Sequence, residues 1–150
     1  MPYRKFSKIL VAVDGSQASM DAAEYAIEIA QKVNAQLIAL TVSNISFPAS
    51  LGFPKPPNEL REAKEKNDLE TKEWFNRIIK NAEQNKVQLK TELIEREMSI
   101  EAEIVEYAEL EGVDLIIMGT KGRSGFKKLV LGSVASGVVN YATCSVLVIR

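Results

Sequence analysis

VDLIIMGTKGRSGFKKLVLGS, residues 113–133, joins a run that reads as a buried strand (113–118) to a segment carrying four glycines, four basic side chains and two serines. Glycine tolerates positive φ and lets a ligand approach the main chain. Gly119, Gly122, Gly125 and Gly132 therefore allow amide N–H groups to converge, while Lys121, Arg123, Lys127 and Lys128 add positive charge. Such a segment is suited to an anion, a nucleotide phosphate tail above all. The alternative is a basic surface turn without a ligand. Ser133 sits where an N-cap is expected, ahead of VASGVVNYA, so its hydroxyl and the free N–H groups of Val134 and Ala135 are candidate phosphate donors at the positive end of a helix.

Outward from this stretch, strands and helices alternate. KILVAV (8–13) is a short β-branched apolar run that stops at Asp14-Gly15-Ser16, a turn and cap signal. Residues 16–33 place alanine and isoleucine at helical spacing. AQLIALTV (35–42) reads as a strand buried on both faces. The proline-rich residues 43–58 predict a long loop, and residues 59–85 a long, charged helix whose first half frays or projects and whose Trp74 anchors it to the sheet. VQLKTELI (87–94) predicts a strand at a sheet edge. Ser99 caps the next helix, with Ala102 or Glu103 in its first turn, and Gly112 ends it. A helix over 133–142 and the strand SVLVIR complete a βαβαβαβαβ order. That order predicts an α/β fold: an open, largely parallel sheet with helices on both faces, joined by right-handed crossovers.

The chain has 150 residues, 46% apolar and 26% charged, with a formal charge of -1. These values predict one domain over 1–150 with a real core, and no wholesale binding of nucleic acid or membrane. There is no histidine, which removes the usual zinc sets and every Ser/His or Cys/His catalytic arrangement. The single Cys144 is read as a packing residue. MPYRKFSK has no apolar core of a signal peptide, and no apolar run reaches membrane-spanning length, so a cytoplasmic protein is expected.

Parallel sheets bind ligands beyond the carboxyl ends of their strands, where strand order reverses. Asp14, after the first strand, and Gly119, after the fourth, meet in one crevice if the reversal lies between them. On pattern alone Asp14 is a group for a ribose hydroxyl, a base or a metal, or else a plain helix cap. Neither the GxxxxGK[ST] nor the GxGxxG phosphate pattern is present.

Gly119, two residues, Gly122, nine residues, Gly132 and Ser133 reproduce in full the signature of the nucleotide-binding branch of the universal stress proteins. With Asp14 ending the first strand, the chain resembles that family over nearly its whole length. The resemblance implies a five-stranded sheet of order 3-2-1-4-5 and an adenine-nucleotide site drawn from Ala12, Asp14, Val42, Met118, Gly119, Gly122, Arg123, Gly132, Ser133 and Val134. Asp14 and the Val42 backbone would hold the adenosine half, and the glycine loop and Ser133 the phosphates of ATP, AMP or ADP. Mg²⁺ is a possible companion, with Asp14 a possible ligand. The resemblance also implies a homodimer through the last strand, Val146–Ile149, whose apolar edge would otherwise invite uncontrolled pairing. The expected function is a nucleotide-dependent regulator in the stress response with an unidentified protein partner, working through the glycine loop and the proline-rich segment. A slow Mg²⁺-dependent ATPase and a nucleotide-independent dimeric interaction module are the alternatives. No catalytic residue is assigned, because no general base or water-orienting group is identifiable.

Overall fold

The computed structural model describes residues 6–44, 52, 55–120 and 131–150. In chain order its elements are β1 (Lys8–Ala12), α1 (Gln17–Val33), β2 (Gln36–Ser43), α2 (Pro57–Gln84), β3 (Leu89–Glu95), α3 (Ile100–Glu111), β4 (Leu115–Gly119), α4 (Ser133–Tyr141) and β5 (Ser145–Ile149). The strands form one sheet of order β3-β2-β1-β4-β5, every neighbouring pair parallel. The expected topology is the observed one. Element ends differ from the sequence reading by up to two residues.

Side-chain alternation along the central strands creates two cores. Ile9 and Val11 of β1, Leu37 and Ala39 of β2, and Leu115 and Ile117 of β4 face one side with the apolar stripes of α1 and α2. Leu10, Ile38, Leu40, Ile116 and Met118 face the other with α3 and α4. Because both faces are covered, these strands are near-continuous apolar runs rather than alternating ones. Each fully buried Ile or Leu contributes about 1.5–3 kcal/mol of transfer free energy.

Local signals fix the helix ends. Ser16 Oγ accepts the Ser19 N–H at 3.2 Å to start α1, and Asn34 ends it in the left-handed region at φ 56°. Ser99 Oγ accepts the Ala102 N–H at 3.2 Å, and the Glu103 carboxylate reaches back to the Met98 N–H at 3.3 Å. Gly112, at φ 69°, closes α3. The helix α2 is continuous from Pro57, and its buried positions, Thr71, Trp74, Ile78 and Ala82, lie in its second half. Its first half is formed as well, where the sequence allowed fraying or projection, and from it Asn67 reaches Ser43 and Lys64 reaches Glu95.

Gly119 is needed for packing. A Cβ there would lie 3.0 Å from Ala18 O and 3.1 Å from Ala18 C, so the start of α1 crosses the end of β4 at backbone distance. Among the described residues, no helix is long and apolar enough to cross a membrane. Half-buried Cys144 packs against the α3/α4 core, and burial pushes its thiol pKa up, consistent with the packing role read from sequence.

Candidate functional site

The sheet reverses direction of growth at β1, with β2 on one side and β4 on the other. Beyond the carboxyl ends of these three strands opens a cleft of about 390 Å³, inside the roughly 300–1,000 Å³ range of small-molecule sites. Ala12, Asp14, Val42, Met118, Gly119, Gly132, Ser133 and Val134, all picked out in the sequence, line it together. Gly122 and Arg123 lie outside the described residues, as do Gly125 and the basic residues Lys121, Lys127 and Lys128.

The cleft exists because the β1–β2 ladder stops early. Val13 N–H still donates to Leu40 O at 2.9 Å. In a regular parallel ladder Val13 O would next accept the Val42 N–H. Instead it accepts the Thr41 hydroxyl at 2.9 Å, and Thr41 Oγ1 in turn accepts the Trp74 indole N–H at 3.2 Å. Main-chain direction alternates along β2: Leu40 O points towards β1, and Ser43 O points towards β3, where it accepts the Arg96 N–H at 2.8 Å. Val42 is in phase with Leu40. Its N–H and C=O are thus turned to the side where β1 has ended, and they offer the cleft a donor and an acceptor side by side.

Asp14 is held at the turn after β1. Its Oδ1 accepts the Ser16 N–H at 2.9 Å and its own N–H donates to Ser19 Oγ at 3.2 Å. Ser16 is the cap of α1, so the plain helix-cap reading of Asp14 does not hold. Among the described residues, Asp14 is the acidic one lining the cleft. Among the described residues, no group of three His, Cys, Asp or Glu side chains is placed to hold a metal ion.

The opposite end is the start of α4. Here the expectation for Ser133 needs correction: Gly132 occupies the N-cap position, at φ -58° and ψ 159°, and Ser133 is the first helical residue. A glycine has no side chain to cap with, and among the described residues no side chain accepts from the first-turn N–H groups. The N–H groups of Ser133, Val134 and Ala135 therefore remain as donors at the positive helix end, all on residues lining the cleft. Gly132 N–H donates to Thr120 O at 2.8 Å, and Thr120 N–H to Ile149 O at 2.9 Å, so the end of β4 and the start of α4 are tied together.

Further lining residues, Asn67 and Ser43 among them, escaped the sequence reading. Trp74 anchors α2 as expected, yet it also borders the cleft, as do Asn67 and Ser43. The available signal was the stripe Asn67, Thr71, Trp74, Ile78, spaced four, three and four residues apart. It places polar groups on the sheet-facing side of a helix.

The universal stress protein family model matches residues 5–150. A universal stress protein of Methanocaldococcus jannaschii is 37% identical over 150 residues, spanning 97% of this chain and 82% of that protein. The structure of the universal stress protein UspA from Lactobacillus plantarum superposes with a TM-score of 0.80 at 29% identity, covering 99% of this chain and 100% of the other. The fold is also that of a universal stress protein from Archaeoglobus fulgidus in complex with dAMP (TM-score 0.72, 20% identity, 97% and 98% covered). It is shared as well by an Arabidopsis thaliana family member with AMP bound (0.67, 17%, 95% and 90%) and by a universal stress protein in complex with cAMP (0.68, 21%, 97% and 98%).

Proposed function

Because this chain belongs to the universal stress protein family, we propose that it is an adenine-nucleotide-binding regulatory protein, taking ATP, ADP or AMP in the cleft above β1, β2 and β4. One observation carries the reading: the outward-turned Val42 main chain, the Asp14 carboxylate and the uncapped start of α4 all border the same cleft. They match in kind the base edge, ribose hydroxyls and phosphates of a nucleotide. The nucleotides held by the dAMP, AMP and cAMP complexes of the same fold support the choice of adenine.

In this reading Val42 pairs with the base edge, Ala12 and Met118 form walls against its faces, and Asp14 binds the ribose. Gly119 and Gly132 leave room at the main chain. The hydroxyl and N–H of Ser133 and the N–H of Val134 receive phosphate, joined by Gly122 and Arg123 from the glycine segment. Charge-assisted bonds of this kind contribute about 1.5–3 kcal/mol each. Mg²⁺, where it accompanies ATP, would rely on phosphate oxygens with Asp14 as the nearby carboxylate. The proposed regulatory role would enter through occupancy of the site, which would alter the surface next to α4 and β5.

A homodimer through β5 belongs to the same proposal. β5 is a sheet edge, and Leu147 on it is 37% exposed. A second copy pairing along Val146–Ile149 would cover this edge.

The test is native mass spectrometry of freshly purified protein, with release and identification of any ligand, followed by titration with AMP, ADP and ATP with and without Mg²⁺. Binding at one site per chain is expected. A protein that stays empty in every titration would falsify the nucleotide reading.

A further inference from the structure

The buried stripe of α2 opens into the cleft at Asn67. Below it, Thr71 is 1% exposed and donates its hydroxyl to Asn67 O at 2.8 Å, and Trp74 is 8% exposed. The Asn67 side chain is tethered across to the sheet: Nδ2 donates to Ser43 Oγ at 3.3 Å. Ser43 is buried on β2, directly after Val42. The amide therefore sits beside the strand end whose main chain faces the cleft. A carboxamide has two N–H donors and one acceptor oxygen. With Nδ2 committed to Ser43, Oδ1 is the acceptor that remains, and among the described residues it receives no hydrogen bond.

We propose that Asn67 is a specificity-determining residue of the cleft, its Oδ1 accepting a hydrogen bond from the exocyclic amino group of a 6-aminopurine and thereby rejecting 6-oxopurines. The proposal rests on the nucleotide reading above and deepens it. The amino group of adenine has two N–H bonds, enough for the Val42 C=O and Asn67 Oδ1 together. Hypoxanthine and guanine present a carbonyl oxygen at the same position, which sets acceptor against acceptor. A site arranged to hydrogen-bond a donor discriminates strongly against an analogue that lacks it, because its own polar group is then left unpaired. The side-chain amide is also the group that pairs with adenine edges elsewhere in recognition.

The experiment is calorimetric titration of AMP and IMP into the wild type, Asn67→Ala and Asn67→Asp. Alanine is the best helix former, so Asn67→Ala keeps α2 intact. The wild type is expected to prefer AMP. In Asn67→Ala, AMP binding weakens roughly five- to tenfold with IMP unchanged, and Asn67→Asp, which keeps an acceptor, retains the AMP preference. An unchanged AMP/IMP ratio in Asn67→Ala overturns the proposal. So does an equal loss for both nucleotides, which would assign Asn67 to the sugar or phosphate they share. Failure of the underlying nucleotide reading looks different, since the wild type would then bind neither.

Discussion

Trp74 Nε1 lies 3.2 Å from Thr41 Oγ1, and this contact between α2 and β2 stands where the β1–β2 ladder gives way to the cleft. The Thr41 hydroxyl does two jobs, accepting from the indole and donating to Val13 O. It thereby satisfies the carbonyl that the ladder has abandoned and leaves the Val42 N–H without it.

Trp74 is the chain's only tryptophan and borders the cleft, so it reports on the site directly. Addition of AMP is expected to change its emission intensity or wavelength with a saturating dependence. Thr41→Val removes both hydrogen bonds while keeping the side-chain volume, and should destabilise the fold by about 1–3 kcal/mol. Urea denaturation followed by circular dichroism measures it; an unchanged midpoint would contradict the assigned role of the hydroxyl.

Ser133→Pro separates binding from folding. Proline suits the first helical position, and Gly132 at φ -58° and ψ 159° already has the extended conformation required before proline. The thermal midpoint should stay within a few degrees of the wild type. Loss of the Ser133 N–H and hydroxyl should weaken ATP binding at least about tenfold. Equal affinity would remove Ser133 from the phosphate site.

Gly119→Ala tests the close approach of α1 to β4. The new methyl would press on Ala18 main-chain atoms rather than on a movable side chain, with a cost of about 1–3 kcal/mol. Because Gly119 and Ser19 both border the cleft, the shift of α1 that relieves the clash should also lower nucleotide affinity. Chemical denaturation and calorimetry read the two effects separately.

Leu147→Lys places a charge on the exposed edge of β5, a change that discourages strand pairing. Light scattering after size exclusion is expected to show a dimer for the wild type and a monomer for the variant. A wild type that is monomeric at all concentrations would remove the dimer from the proposal.

Cys144 supplies a pH test. Burial is the largest cause of its upward shift from the ordinary value of 9.0, so the folded state favours the neutral thiol. Iodoacetamide should alkylate folded protein at pH 8 more slowly than it alkylates N-acetylcysteine. Above pH 9.0 the unfolded chain releases this proton before the folded one does, so stability should decline through that window. Alkylation as fast as that of the free thiol would contradict the shift.

The alternation of strands and helices was legible because its causes are local, and the strand order and the two ends of the cleft because the glycine motif carries the family resemblance that implies them. Continuous apolar runs mark doubly covered strands, and Gly119, Gly122, Gly132 and Ser133 keep a fixed spacing. What the sequence did not disclose depends on register between separate elements. The outward turn of Val42 requires knowing that β1 ends opposite Leu40, and the place of Asn67 requires knowing how α2 lies over Ser43. The one-residue correction at Ser133 has a similar origin. Gly132 and Ser133 are both acceptable caps, and the bond from Gly132 N–H to Thr120 O, distant in the chain, is not visible in the sequence.

The bond from Gly132 N–H to Thr120 O closes the intervening chain into a ring, and Thr120 is itself tied to the sheet through its N–H bond to Ile149 O. Closure entropy grows slowly, about 0.6 kcal/mol for each doubling of length. A foreign peptide spliced between these two residues should therefore leave the five strands folded, which makes the domain a scaffold for grafting.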